Sequence, residues 1–263
     1  MPLPSVLLHD HLDGGLRPDT VLELAEEHRY RDLPASNAED LAAWFHQTDS
    51  GSLERYLEAF THTIGVMQQP EAIERVAYEA AVDLSGDGVV YAEIRFCPSL
   101  NTREGTSVET VIQAASSGLA MGGQETGLKW SLIVDALRHW EDSLELARVA
   151  AASRDLGVVG FDLAGPEAGF PPADHLPALR LARAEGLRVT IHAGEHAGGN
   201  GVAYMASAMD VCGAERLGHG VELVEDCLLE DGEIVKLGKV AQRIRDRRMP
   251  LEMCPASNLA TSG

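Results

Sequence analysis

The chain has 263 residues, of which 41 are acidic and 21 basic, so its formal net charge at pH 7 is −20. That charge repels a nucleic-acid backbone over most of the surface, and it favours a small neutral or cationic substrate instead. Hydrophobic residues make up 45% of the sequence, which is enough for a sizeable core in one or two domains. Disorder of the whole chain is therefore excluded.

Cysteine usage and the lack of long apolar runs indicate where the protein works. The four cysteines are scattered and form no Cys-x-x-Cys pair, which is typical of reduced structural thiols in a cytoplasmic protein. The N-terminus lacks a basic segment followed by a long apolar core, and no apolar run approaches about 18 residues. Neither export nor membrane insertion is expected.

In chain order, strand-like apolar runs alternate with helical stretches, and no hairpin signal interrupts the alternation. This pattern predicts parallel strands joined by right-handed crossovers. The helices are expected within residues 18–30, 41–45, 52–67, 71–83, 106–121, 141–155, 175–185, 201–212 and 235–248. The seven strands are expected within residues 6–15, 89–96, 128–136, 157–165, 188–193, 215–220 and 250–258.

Polar groups recur at the C-terminal end of nearly every expected strand, which favours convergence on one mouth. Seven such units predict an α/β fold of the TIM-type (β/α)₈ barrel, in which seven strands are accounted for and the eighth is missing. An open, doubly wound nucleotide-binding sheet is the alternative. It is disfavoured because no Gly-x-Gly-x-x-Gly follows the first strand and no Walker-type loop is present.

We expect residues 1–263 to form a single catalytic barrel domain that is incomplete at its C-terminus. The helical residues between the first and second strands exceed the short connections usual in α/β units. They predict a helical lid over a pocket at about residues 18–67, and extra core packing is the alternative.

The first strand ends in His9-Asp10-His11, followed by Asp13. Residues two apart in a strand point to the same side, so the two imidazoles would lie about 6 to 7 Å apart along it. Both could then bind one metal ion if a third group approached from elsewhere. Asp13 is expected on the same side, where its carboxylate could bind a substrate or a ligand imidazole.

The fifth strand ends at a second group of polar residues, His192 and Glu195, and the sixth ends at His219 between two glycines. Three histidines from two strand ends, His9, His11 and His192, suit zinc, which lowers the pKa of bound water to about 7. Glu195 would then take the proton from that water and pass it on. His219 could stabilise a developing charge or orient hydroxide.

Six short motifs span nearly the whole chain, and together they resemble the adenosine deaminase family of metal-dependent amidohydrolase-like barrels. In family order they are His9-Asp10-His11-Leu12-Asp13-Gly14, Tyr91-Ala92-Glu93-Ile94-Arg95-Phe96, Asp162-Leu163-Ala164-Gly165-Pro166-Glu167, His192-Ala193-Gly194-Glu195, Arg216-Leu217-Gly218-His219-Gly220 and Cys254-Pro255-Ala256-Ser257-Asn258.

The resemblance implies zinc-dependent hydrolytic deamination of adenosine, or of a related purine nucleoside, to the 6-oxo product and ammonia. It implies that His9, His11 and His192 bind one zinc ion per chain. It further implies that Glu195 protonates the purine ring nitrogen next to the attacked carbon, and that His219 orients the zinc-bound hydroxide.

The resemblance also identifies the residues expected to bind substrate. They are Asp13 at the ribose, the Gly165 backbone at the purine, and His11. The expected partner is thus a small purine nucleoside, with neither nucleic acid nor membrane, and a homo-oligomer is compatible with the sequence. A catalytically impaired, nucleoside-binding relative of the family is the alternative.

One departure from the family concerns the C-terminus. Family members continue past the Cys-Pro-x-Ser-Asn strand to an eighth strand with a Thr-Asp-Asp type motif, whose aspartates bind zinc and position the attacking water. Here the sequence stops at Thr261-Ser262-Gly263. Either it covers part of a longer chain, or a partner completes the barrel, or it is a truncated, impaired relative. The first is favoured because residues 260–263 are typical of the start of a loop. The intact protein is then expected to be active, and the 263 residues alone poorly active or inactive.

Two other zinc-enzyme patterns are disfavoured by local sequence. His192-Ala193-Gly194-Glu195-His196 matches a zinc-peptidase motif, but that motif needs a helix, whereas the residues around it predict a strand and a loop, with His196 in the loop. The Pro-Cys-x-x-Cys signature of cytidine-type deaminases is absent because Cys254 has no second cysteine beside it.

Overall fold

The computed structural model describes residues 4–46, 51, 53–195 and 199–262. The chain divides into two compact units. The first comprises residues 1–134 and 152–159, and the second comprises residues 135–151 and 160–263. Whether the chain acts as a single catalytic domain stays a prediction.

Seven strands in the described part of the chain hydrogen-bond in one sheet, and they follow one another across it in chain order. Two further strands, which lie between the sixth and seventh in sequence, form a separate hairpin. Each strand therefore pairs with the next one along the main sheet, whereas a doubly wound sheet would reverse its order at a switch point. This sequential order confirms the predicted TIM-type α/β fold class. The strands are β1 (Ser5–His11), β2 (Val89–Phe96), β3 (Lys129–Leu137), β4 (Val158–Ala164), β5 (Arg188–Ala193), β6 (Arg216–His219) and β9 (Leu251–Glu252).

In the first unit, β1, β2 and the start of β3 pair in parallel, with Tyr91 opposite Lys129 and Phe96 opposite Val134. In the described residues, four helices follow β1 where the lid was predicted, and longer helices flank β2. That the four helices form a lid stays a prediction. The predicted single helix at residues 52–67 is two helices, because the backbone N–H groups of Ala59 and His62 bond three residues back. The helices are α1 (Pro18–Glu27), α2 (Ala38–Phe45), α3 (Leu53–Glu58), α4 (Phe60–Val66), α5 (Pro70–Gly86) and α6 (Val108–Thr126).

In the second unit, β4, β5, β6 and β9 pair in parallel, with Ala193 opposite His219. Its helices begin with α7, whose last residue is assigned to the first unit. They are α7 (Ser143–Ala152), α8 (Leu176–Ala184), α9 (Gly201–Ser207), α10 (Lys239–Arg247) and α11 (Pro255–Ser262).

The expectation that no hairpin interrupts the alternation is wrong. Strands β7 (Leu228–Glu230) and β8 (Glu233–Lys236) pair antiparallel, so Val235 lies in a strand and not in the last predicted helix. Asp231 and Gly232 both have positive φ, at 52° and 81°. An Asp-Gly pair of this kind forms the type I′ turn that suits two-residue hairpins. This local signal was present in the sequence.

The expected strand at residues 250–258 is also corrected. It covers only Leu251–Glu252, and helix α11 begins at Pro255. Proline suits the first turn of a helix because its φ is fixed near the helical value. It also lacks an N–H group, which costs nothing there because N–H groups of the first turn have no acceptor within the helix. The first helical bond joins the Asn258 N–H to the Cys254 carbonyl at 2.9 Å. Residues 260–262 are therefore helical rather than a loop start, and Gly263 lies outside the described residues.

No helix in the described ranges combines the length and apolar character that a membrane crossing requires. No disulfide joins any of the four cysteines, all of which lie in those ranges.

Helices α5 and α6 approach closely at two glycines of α6. A Cβ atom on Gly118 would lie 2.0 Å from the Glu74 carbonyl oxygen and 2.8 Å from the Ala77 Cβ. A Cβ on Gly122 would lie 2.6 Å from the Ala81 Cβ. Glycine is therefore required for the two helices to pack at this distance.

We predict that Gly118→Ala lowers the free energy of unfolding by about 1–3 kcal/mol, because overpacking outweighs the gain in helix propensity. Gly86→Ala is the matched control, since no atom lies within 4 Å of a Cβ at that position in α5. It should leave stability unchanged or raise it by up to ~1 kcal/mol. Urea denaturation of both variants measures the difference, and equal effects would contradict the packing argument.

Candidate active site

Two histidines lie at the C-terminal end of β1. The ring centroids of His9 and His11 are 5.2 Å apart with the rings edge to face, so the side chains lie together, as strand alternation predicts. The register of β1 against β2 shifts just before Asp10. On β2, the fully buried Arg95 donates to the Leu8 carbonyl at 2.7 Å. A bulge of this kind re-aims side chains at a strand end.

Asp13 lies just beyond β1, in the 3₁₀ turn Leu12–Gly14, so the turn and not strand alternation sets its direction. Its side chain is buried, and burial raises the pKa of its carboxyl to about 7. Among the described residues, the Oδ1 atom has no hydrogen-bond partner. Because an unpaired buried oxygen is costly, this carboxyl is suited to bind a polar group of a ligand.

Asp13 faces a cavity of about 240 Å³ in the first unit. The cavity is lined mainly by apolar and aromatic residues from the helices between β1 and α5. This composition, with one buried acid among apolar surfaces, is typical of small-molecule pockets. The remaining lining residues are Gly14, Leu16, Pro18, Ala42, Phe45, His46, Tyr56, Ala59, Phe60 and Thr63.

In the second unit, the ends of β5 and β6 bring together His192, Glu195 and His219. The centroids of the two imidazole rings are 5.2 Å apart. The Nε2 atom of His219 lies 3.5 Å from Oε1 of Glu195. All three side chains are buried. The three residues that the sequence predicted in this part of the chain are thus neighbours.

His219 is held in an uncommon backbone conformation, with φ at 63° in the left-handed region. Strain of this kind persists where the surroundings fix a residue, and it is often found at functional sites. The Nδ1 atom of the His219 ring lies 3.1 Å from the Asn258 amide nitrogen of α11. If that amide donates to Nδ1, the ring proton lies on Nε2, the atom nearest Glu195.

His192 is accompanied by a buried carboxylate from β4. Its Nδ1 atom lies 2.9 Å from Oδ2 of Asp162, which is fully buried. The other carboxylate oxygen, Oδ1, accepts a hydrogen bond from the Leu163 N–H at 2.6 Å. A carboxylate beside one ring nitrogen orients an imidazole for metal binding through the other.

A second buried carboxylate, Glu167, contacts the loop after β5. Its two oxygens accept hydrogen bonds from the consecutive N–H groups of Gly194 and Glu195, at 2.8 and 3.0 Å. The Arg138 guanidinium lies 4.0 Å from this carboxylate, and both side chains are almost fully buried. Burial lowers the pKa of Arg138, an effect that the nearby Glu167 and Asp162 charges oppose.

Gly165 lies directly after β4, with φ at 88°. A Cβ atom there would lie 3.3 Å from Nδ1 of His139 and 3.4 Å from a methyl group of Leu137. Glycine therefore permits both the left-handed conformation and the close approach of the His139 ring. Contact between its backbone and a purine stays a prediction.

Four further residues at this site, Arg138, Asp162, Glu167 and Asn258, were not among the predicted site residues, although three of them lie within the six motifs. Asp162 is a charged residue inside an otherwise apolar strand. Buried ionisable residues are frequently functional, so this was the available signal. Arg138, directly after β3, was recognisable only from its contacts.

The local structure at β5 disfavours the zinc-peptidase pattern. Strand β5 ends at Ala193, so His192 lies in a strand and Glu195 in the loop after it. The helix that this pattern requires does not include either residue. His196 lies outside the described residues.

The chain is similar in sequence to known deaminases. The sequence profile of the adenosine deaminase family matches residues 4–263. The chain is 50% identical over 264 residues to adenosine deaminase 1 of Streptomyces coelicolor, covering 98% of this chain and 66% of that relative. It thus spans slightly less than two thirds of that relative's length.

Solved structures of deaminases and amidohydrolases have the same fold. Adenine deaminase from Arthrobacter aurescens superposes with a TM-score of 0.83 at 26% identity, over 98% of this chain and 74% of that one. A zinc-bound amidohydrolase from Burkholderia ambifaria superposes with a TM-score of 0.75 at 26% identity, over 85% of this chain and 60% of that one. The chain therefore belongs to the adenosine deaminase family.

Proposed function

We propose that the protein catalyses the hydrolytic deamination of adenosine, or of a related purine nucleoside, to the 6-oxo product and ammonia. The observation that carries the proposal is the buried pair of Glu195 and His219, 3.5 Å apart, in a chain 50% identical to an adenosine deaminase. A carboxylate beside an imidazole at neighbouring strand ends is suited to proton transfer. A cytoplasmic location, predicted from cysteine usage, is part of the proposal.

The proposal includes one zinc ion per chain, bound by His9, His11 and His192. Neutral imidazole is a preferred zinc ligand. Support comes from the two paired rings on β1, from the Asp162 carboxylate beside His192, and from the zinc in the Burkholderia ambifaria relative. When bound, zinc lowers the pKa of water and so provides a nucleophile at neutral pH.

Glu195 and His219 would divide the proton chemistry between them. Glu195 takes a proton from the attacking water and delivers it to the purine ring nitrogen beside the attacked carbon. His219 would orient that water by donating through Nε2, with the Asn258 amide nitrogen, the nearer of its two amide atoms, donating to Nδ1. Burial of both side chains excludes competing water and strengthens their interaction.

Asp13 and its cavity would bind the nucleoside. The apolar and aromatic lining suits a purine nucleoside, and the buried Asp13 carboxyl suits a ribose hydroxyl, which would provide its Oδ1 atom with a hydrogen bond. The helices after β1 would then act as the lid predicted from the sequence.

Glu195→Gln should lower kcat for adenosine by about 10²- to 10⁴-fold with little change in KM, because it removes proton transfer and keeps the shape of the side chain. The loss of adenosine absorbance measures the rate. Glu145→Gln is the control, since this exposed carboxylate of α7 pairs only with Arg148 in the described contacts. Nucleoside binding without ammonia release by the intact, unsubstituted protein would instead indicate an impaired relative.

Removing the imidazole ligands should remove the metal. We expect His192→Ala and His9→Ala each to lower bound zinc from about one ion per chain to a small fraction of that, because three imidazoles are needed for tight binding. Zinc content after dialysis is measured by elemental analysis. His62→Ala is the control, because its ring contacts Tyr30 and is not a proposed ligand. Unchanged zinc content in His192→Ala would contradict the ligand assignment.

Asp13→Ala should lower kcat/KM for adenosine by about 30-fold, the effect of leaving one buried ribose hydroxyl without its hydrogen-bond partner. Adenine, which lacks the ribose, provides the internal control, and kcat/KM for adenine should fall little. Comparing the two substrates with both proteins tests the assignment. Equal losses for adenosine and adenine would contradict a contact with the ribose.

A further inference from the structure

We propose that Glu167, supported by Arg138, is a positioning residue that holds the loop after β5 so that Glu195 reaches its reacting geometry. The inference deepens the proposed deamination and rests on it. It assigns a role to two buried charges that proton transfer itself does not use.

The Glu167 carboxylate contacts the backbone of the residue that it would position. One oxygen accepts from the Gly194 N–H and the other from the Glu195 N–H. Two bonds to consecutive N–H groups restrict the direction in which the main chain leaves β5. Since the Glu195 side chain extends from that main chain, the two bonds also restrict the positions that its carboxylate can reach.

Gly194 makes this turn possible. Its φ is 71°, and a Cβ at this position would lie 2.9 Å from the Met205 side chain. Its N–H bonds Glu167, and its carbonyl accepts from the Glu222 N–H at 2.9 Å. Both polar groups of this peptide segment are therefore occupied, and Glu195 follows at a fixed direction, 3.5 Å from His219.

Arg138 supports Glu167 and connects it to neighbouring strand ends. Its guanidinium donates to the carbonyl oxygen of His192 and lies 3.4 Å from that of Leu163. Its own carbonyl oxygen lies 2.9 Å from Nε2 of the buried His175. A buried carboxylate without a nearby cation would be costly, and the Arg138 guanidinium provides that cation 4.0 Å from Glu167.

An ionised carboxylate is required here and an amide would not replace it. Glu167 accepts from the two backbone N–H groups through separate oxygens, whereas glutamine offers one acceptor oxygen and one NH₂ group. In Glu167→Gln, one N–H would therefore face another donor, and Arg138 would lose its nearest carboxylate. The loop should shift although Glu195 itself is not substituted.

The experiment compares three variants of the purified protein for kcat, KM and amide hydrogen exchange of the segment that contains Gly194 and Glu195. Glu167→Gln removes the second acceptor, and Glu167→Asp keeps the charge but shortens the reach. Asp226→Asn is the control for loss of a carboxylate charge. That carboxylate accepts from two consecutive N–H groups, those of Val240 and Ala241 at the start of α10, through the single oxygen Oδ2, which an amide can replace.

We expect Glu167→Gln to lower kcat for adenosine by about 10²-fold, as displacement of a reacting group by about 1 Å does, with KM within about twofold. Exchange at Gly194 and Glu195 should become faster. For Glu167→Asp, both kcat and the exchange rate should lie between those of Glu167→Gln and of the unsubstituted protein. If Glu167→Gln does not fold, Glu167→Asp provides the test. Asp226→Asn should keep kcat.

The inference is overturned if kcat is unchanged in the Glu167 variants, if KM rises as much as kcat falls, or if exchange at the segment stays the same. It is also overturned if Asp226→Asn lowers kcat equally, because the effect would then reflect general destabilisation. Absence of adenosine turnover by the intact, unsubstituted protein refutes the proposed function, and the inference with it. An active protein with unaffected Glu167 variants refutes the inference alone.

Discussion

The second unit depends on one constraint, namely that a buried guanidinium must be surrounded by acceptors. Arg138 is almost fully buried, and removing its charge from water is costly unless carboxylates and carbonyl oxygens surround it. Glu167 provides the nearby charge, and carbonyl oxygens that follow or lie within β4 and β5 accept its hydrogen bonds. The bonds of its two terminal nitrogens thus bring together the segments that carry the reactive side chains.

The same requirement explains why so many charges are buried beside His192 and Glu195. Asp162 lies beside the His192 ring, and Glu167 bonds the backbone at Glu195, so each of these two proposed functional residues has a buried carboxylate partner. Asp162 thus restricts the orientation of the His192 ring, and Glu167 restricts the backbone from which the Glu195 side chain extends. Preorganisation of this kind places chemical groups before substrate binds, which is how enzymes lower the cost of reaching the transition state.

Most elements of the fold could be predicted from local pattern. The strands at Val89–Phe96 and Arg188–Ala193 have the predicted limits, because β-branched runs bounded by turn residues are a strong local signal. The hairpin at Asp231-Gly232 was missed although its turn chemistry is local, and helix α11 was taken for a strand although Pro255 suits a helix start. These errors concern short elements, in which few residues contribute to the periodicity.

The sequence by itself determined where strands and helices alternate, that His9 and His11 share one side of β1, and which side chains carry the proposed chemistry. These properties depend on residue type and on spacing over a few positions. Only the tertiary structure decided that Glu167 lies against the backbone of Gly194 and Glu195, and that Arg138 donates to the His192 carbonyl. It alone also decided that Asp162 lies beside His192 and that Asn258 contacts His219. These partners are between 27 residues apart, for Glu167 and Gly194, and 54 residues apart, for Arg138 and His192. No local period encodes them, because they result from packing strand ends together around a buried charge.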